Sequence, residues 1–373
     1  MTQNIGAGRP GVAYQARQLG LAFNAVLGII LSLILAFGAG TILAGVGVAD
    51  ALMQPARTYL QIVGGFCILN ALIPICSSYL RAFGFSKEPL YASIIGNVIN
   101  FCLNAFFLFV LHKGVAGVAT ATVVSRIINL VIVVLLGAVL VKAKQHPERE
   151  SNREVMGQII RIGFPSACET AIYNVSMTLV IRFLNQMDAQ GLNVTARSYT
   201  MQITNFSYCV GAALAQANAI MTGWHIGAKE YDACDRGTKK AAVIGVIVAV
   251  ILETVFTLCS GWIMQLFSKD PQMVSLVGKL LAIDIVLEIG RVTNLVYGQA
   301  LKTSGDAVFP VVMGACFMIL CSVGGTYLFG IRLGLLAVGA YIGMAGDECV
   351  RAIGMYLRWK SGKWKEKGLV KSR

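Results

Sequence analysis

Six carboxylates interrupt apolar stretches of the chain: Glu169, Glu253, Asp284, Glu288, Asp347 and Glu348. All six fall in the second half, and the apolar runs of the first half contain none. A carboxylate in hydrocarbon costs several kcal/mol, so each must face protein or a water-filled space. There it can hold a proton, a small cation or an organic cation. Asp284, Glu288 and Arg291 lie within about 60° of one another at about 100° per residue, so one helix presents a charged face. Two readings stay open for such groups. Glu288 with Arg291 and Asp347 with Arg351 have the spacing of local ion pairs that fix packing; the same residues suit the wall of a watery cavity. Glu169 differs, because Ile172 and Tyr173 occupy the positions one turn on, so it reads as unpaired and open to an ion or a cationic ligand. Glu253 reads as snorkelling or locally paired. Asn97, Asn100 and Asn104 share a helix face and suit interhelical hydrogen bonds, or the lining of a cavity. Tyr173, Met177, Phe206 and Tyr208 suit a compliant cation-binding wall, or ordinary core.

The elements that must position these groups are apolar helices. Of 373 residues, 56% are hydrophobic and only 13% charged, about half the charge of a soluble domain, and the mean hydropathy is +0.70. Runs near the ~20 residues that a bilayer requires alternate with short basic loops. The expected fold is an all-α polytopic membrane protein with two repeated helical lobes and ten spans, four plus six. An N-terminal lobe occupies residues 1–145, a polar linker 146–153, a C-terminal lobe 154–357 and a basic tail 358–373. The net charge of +13 is distributed unevenly: 21 of 31 Lys and Arg lie in alternate loops and the tail, against seven in the intervening ones. That pattern predicts cytoplasmic termini and argues against a nucleic-acid partner. Trp359 and Trp364 among the tail cations read as an anchor at the lipid surface. The ten cysteines have no metal-ligand spacing and read as reduced packing residues. No HExxH, nucleophile elbow or P-loop occurs, so no enzyme and no cofactor is expected.

An internal repeat organises the chain. Leu80-Arg81-x-x-Gly84 and Leu301-Lys302-x-x-Gly305 lie 221 residues apart, as do Ile5-Gly6-Ala7 and Ile226-Gly227-Ala228. By that offset, two spans precede the second marker and nothing comparable precedes the first. About 70 residues, two helices, are thus expected upstream of the first copy.

Gln3-Asn4-Ile5-Gly6-Ala7-Gly8-Arg9, the two Leu-cation-x-x-Gly turns, Gly114–Thr122 and Gly163-Phe164-Pro165 together resemble signatures of the multidrug and toxic-compound extrusion (MATE) family. Glu288-x-Gly290-Arg291-x-x-Asn294 and Asp347-Glu348-x-x-Arg351 resemble its bacterial branch near the DNA-damage-inducible subgroup. The resemblance implies an inner-membrane secondary exporter of amphipathic, cationic small molecules, acting as a monomer by alternating access in exchange for H+ or Na+. Glu169, Asp284 and Glu288 would then bind the ion or the cation. Arg291, Asn294, Tyr173, Asp347, Arg351 and the stripe Asn97, Asn100, Asn104 would support them. The alternatives are a lipid-linked saccharide flippase of a related fold, or an inactive truncated transporter.

Overall fold

The computed structural model describes residues 1–46, 48–142, 148–188 and 190–370, so linker residues 146 and 147 and tail residues 371–373 lie outside the described residues. Within the described residues the chain is helical, with no strand. Two compact units form, Met1–Ile159 and Ile160–Arg373.

Unit 1 begins with α1 (Thr2–Gly6) and α2 (Pro10–Val46). A broken helix follows, made of α3 (Asp50–Tyr59), a π-helical turn (Leu60–Gly64) and α4 (Ile68–Ala82), with a bend of 41°. Then come α5 (Lys87–Ala105), a second π turn (Phe106–Val110) and α6 (Gly114–Leu140). Its buried centre is small: Cys76, Tyr79 and Leu80 of α4 pack on Ala92 and Val133. The Arg17 guanidinium covers the Tyr79 ring at 4.7 Å, a cation–π contact. Arg9 and Gln15 hold the linker end, Arg9 through an ion pair to Glu150 at 2.7 Å and Gln15 through a bond to the Glu150 carbonyl.

Unit 2 contains α7 (Asn152–Met187, which starts in unit 1), α8 (Leu192–Gly227), α9 (Tyr231–Leu258) and α10 (Ser260–Met264). Next are α11 (Pro271–Ser304), α12 (Val308–Phe317), π turns at Met318–Val323 and Thr326–Arg332, and α13 (Leu336–Lys360). Asp270 caps α11, accepting from the Gln272 amide at 3.0 Å, with Pro271 at the first helical position. By length and composition, five helices among the described residues suffice to cross a membrane, and the bent pair makes six. The rods α7, α8 and α11, of 36, 36 and 34 residues, and α13, of 25, are long enough as well but carry more polar groups.

The turns repeat in atomic detail. Gly84 and Gly305 both have left-handed φ, +89° and +100°, the conformation that a Cβ disfavours. In each, the amide that follows the glycine reaches back five residues: Phe85 N donates to Leu80 O at 3.0 Å, and Asp306 N to Leu301 O at 2.9 Å. Gly8 and Lys229, also 221 apart, share φ near +71° and +62°. Helices α9, α11 and α12 begin 221 residues after α2, α3 and α5, but α13 begins 222 after α6. The extra residue falls where the second copy has two π turns and the first has one, as expected when a helix absorbs one inserted residue by widening a turn.

The tail does not stand free as a lipid-surface anchor. Gly362 (φ +73°) reverses the chain after α13, and a short 3₁₀ helix, Lys363–Lys367, folds back on unit 2. Trp359 and Trp364 are each 1% exposed and stack at 4.1 Å between ring centres. Trp364 Nε1 donates to the Trp359 carbonyl, and Trp359 Nε1 to Asp235 of α9, both at 2.9 Å. Aromatic and basic composition serves either role; here the indole N–H groups find protein acceptors, so the rings bury in protein.

Candidate functional site

Helix α11 runs between two apolar clusters of unit 2. Leu280, Leu281 and Leu287 belong to one, and Val292, Val296 and Leu301 to the other. Between and beside them it carries a charged stripe. Arg291 Nη1 donates to Glu288 at 2.8 Å, and Arg291 Nε lies 3.7 Å from Glu348 of α13. Asn294 Nδ2 donates to Glu348 at 3.0 Å. Arg351 grips Asp347 through two bonds, 2.9 and 3.0 Å, and Glu348 at 2.8 Å. Ser322 donates to Asp347 at 2.9 Å. Half-buried Arg291 and buried Arg351 thus each have acceptors on two sides, which offsets the cost of taking their charges out of water. Gly290 lets α13 come this close, since a Cβ there would lie 2.7 Å from the Cys349 amide nitrogen.

Of these groups, Arg291, Asn294, Glu348 and Arg351 border a cavity of about 520 Å³ inside unit 2. Glu169, Tyr173 and Asn174 of α7, Tyr208 of α8, Arg291, Asn294 and Lys302 of α11, and Glu348 and Arg351 of α13 line it. A second cavity of about 230 Å³ shares Tyr173, Tyr208 and Arg291 and reaches Asp284. The Arg291 guanidinium lies 5.9 Å from the centre of the Tyr208 ring.

Three expectations change, for Glu169, Lys302 and Glu253, and of the two readings open for Glu288 the local ion pair forms. Glu169 is not unpaired: Lys302 Nζ lies 2.5 Å from its Oε2, an ion pair without hydrogen-bond alignment. Its partner comes from another helix 133 positions away, invisible to a search one turn along. Lys302, counted from sequence as a loop cation, sits in the last turn of α11 and faces the cavity. Its distance of 11 residues from Arg291 returns it to the same helix face, a signal that the turn motif obscured. Glu288 is fully buried beside Arg291 and does not line either cavity, and Asp284 is 2% exposed. Glu253 neither snorkels nor pairs locally. It is 0% exposed, with neither oxygen hydrogen-bonded among the described residues, and lies near Asp284 and Glu288 of α11.

The asparagine stripe belongs to unit 1, and the six carboxylates belong to unit 2. Asn104 donates to Asn100 at 3.1 Å and Asn100 to Ser125 of α6 at 3.3 Å, while Asn97 is exposed. The stripe therefore joins α5 to α6.

The family model described as MatE matches residues 1–106 and 165–328. The chain is 32% identical over 376 residues to the uncharacterized transporter YisQ of Bacillus subtilis (strain 168), covering 99% of this chain and 82% of YisQ. It is 22% identical to the probable multidrug resistance protein YoeA of the same organism, covering 94% of this chain and 77% of YoeA. Among solved structures, an outward-facing conformation of a multidrug resistance MATE family transporter superposes with a TM-score of 0.87 at 18% identity, covering 98% of this chain and 82% of that one. With the family model spanning most of the sequence and YisQ aligned along nearly all of it, the chain belongs to the MATE family of multi-pass membrane transporters.

Proposed function

We propose that the protein is a secondary active exporter of amphipathic, cationic small molecules, driven by exchange with H+ or Na+ through alternating access. The observation that carries this reading is the cavity of about 520 Å³ in unit 2. Its size suits a drug-sized ligand, and its wall combines aromatic and methionine side chains with a few convergent charges. A ligand cation docks on Glu169 by displacing Lys302, with Tyr173 and Tyr208 as π-faces. The coupling ion acts at the acids of α11, Asp284 and Glu288, which share Arg291 with the cavity. Loading that region changes the Arg291 pairing, and so the wall that the ligand meets. The asymmetry of basic loops supports a cell-membrane location with both termini cytoplasmic. One chain is sufficient, because the cavity is lined from a single unit.

The test is ion-gradient-driven transport of a cationic dye in vesicles containing the purified protein. Glu169→Gln removes one charge-assisted contact and is expected to lower transport at least about tenfold, with insertion unchanged. Full transport by this variant removes Glu169 from the mechanism.

A further inference from the structure

Charge pairing around the cavity is uneven. Arg291 has Glu288 at 2.8 Å and Glu348 at 3.7 Å; Arg351 has Asp347 at 2.9 Å and Glu348 at 2.8 Å. Within ion-pair distance Lys302 meets a single carboxylate among the described residues, Glu169, and Glu169 a single cation, Lys302, with the Arg351 charge acting on Glu169 from further off. Both side chains are partly exposed to the cavity, at 17% and 19%, and their contact lacks hydrogen-bond alignment. Of the ion pairs in the wall, this one has the fewest supporting partners on either side.

Opening it has a chemical consequence. A ligand bearing only a positive charge takes Glu169 and leaves the Lys302 ammonium without a counter-charge in a confined space. A ligand bearing an anionic group as well satisfies both partners at once, exchanging one ion pair for two. We infer that Lys302 is a specificity-determining residue, and that the site favours amphoteric compounds, an organic cation joined to a carboxylate, over the same compounds lacking the carboxylate. The cavity has room for such a molecule beside the pair: Tyr173 and Tyr208 offer faces to the cationic ring system, and Ser166, Asn174 and Gln299 line the same space with polar groups.

The inference rests on the cavity being the ligand site. The experiment separates the two claims by using a rhodamine with a free carboxylate and its methyl ester, which keeps only the cation. Binding of each dye to the purified full chain is followed by fluorescence polarisation. Wild type is expected to bind the acid about tenfold more tightly than the ester, the ratio of one added charge-assisted contact. Lys302→Gln should bring the ratio to about one, because the acid loses its counter-charge and the ester no longer strands an ammonium, while Lys302→Arg, which keeps the charge and controls for folding, retains the preference. Equal affinities in wild type, or an unchanged ratio in Lys302→Gln, overturn the role of Lys302 while the cavity stands. Failure of wild type to bind either dye overturns both.

Discussion

Replacing Trp364 by Ala tests whether protein contacts alone hold the C-terminal strap. Trp364 is 1% exposed, stacked on Trp359 at 4.1 Å with 8° between the rings, and edge-on to Tyr231 at 5.9 Å. Truncating a buried Trp costs about 3–5 kcal/mol. The strap is a thin layer with Lys363, Lys365 and Glu366 exposed, so the lower end, about 3 kcal/mol, applies. At about 1.4 kcal/mol per decade, the detached form becomes roughly a hundredfold more populated. Trypsin reads that population, because Lys363, Lys365 and Lys367 are cleaved only when the 3₁₀ turn opens. When reclosing outpaces cleavage, the rate follows the open fraction. In detergent, the variant should therefore lose its tail about a hundredfold faster than wild type. Equal rates refute a strap held by the Trp stack. Protection that appears only on lipid vesicles would restore the lipid-anchor reading of the sequence.

Asp306 supplies the strap's polar lock. It is 1% exposed and accepts from Arg358 and Lys367, each at 2.7 Å. Burial pushes its carboxyl up, but the hydrogen bonds from Arg358 and Lys367 and their charges outweigh burial and hold it below the usual carboxylate range. The stabilisation is thus complete above the ordinary value near pH 4 and disappears as pH falls through the lower folded value. Strap protection in wild type should fall on acidification below about pH 4, and Asp306→Asn should abolish that dependence. At neutral pH the substitution is expected to cost about 2 kcal/mol, less than a fully buried pair because Lys367 is 36% exposed. Gly290→Ala forces its Cβ to within 2.7 Å of the Cys349 nitrogen and 2.8 Å of the Glu348 carbonyl carbon, which are backbone atoms that cannot rotate away. It should destabilise by about 1–3 kcal/mol in thermal unfolding and weaken dye binding, by parting Glu348 from Arg291 and Asn294.

What sequence could see was local. Gly84 and Gly305 announce their turns because the left-handed φ that each adopts is costly for other residues. The pairs Glu288–Arg291 and Asp347–Arg351 are visible at one-turn spacing, and both form. What sequence could not see was contact between helices. Glu169 looked unpaired because its neighbours one turn on are apolar, whereas Lys302 arrives from α11. Glu253 looked incidental because no residue near it in sequence is charged, yet packing sets it near Asp284 and Glu288. The tail misled for a different reason. Stacked indoles with basic neighbours suit a lipid surface and a protein groove equally, and only the acceptors, Asp235 and the Trp359 carbonyl, decide between them.

The repeat shows why the chemistry gathers in unit 2. Shifting by 221, Asp284, Glu288, Arg291 and Lys302 correspond to Val63, Cys67, Asn70 and Arg81. Only the cation near the turn survives in both copies, consistent with its place beside a shared backbone motif. Where α11 runs straight through its acids, the first copy widens into a π turn at Leu60–Gly64 and bends before Ile68. A continuous helix holds charges at fixed angular positions, so Arg291 and Lys302 point into one cavity from about three turns apart. A bent helix cannot hold that register, and the counterparts of its first three charges, Val63, Cys67 and Asn70, are uncharged. In unit 1 the close approach of Gly64 to Leu35, where a Cβ would lie 2.8 Å from the Leu35 Cβ, instead brings α2 against the break. The same ancestral rod has thus been used for packing in one copy and for charge in the other. Ligand selectivity is therefore expected to respond to α11 far more than to its repeat.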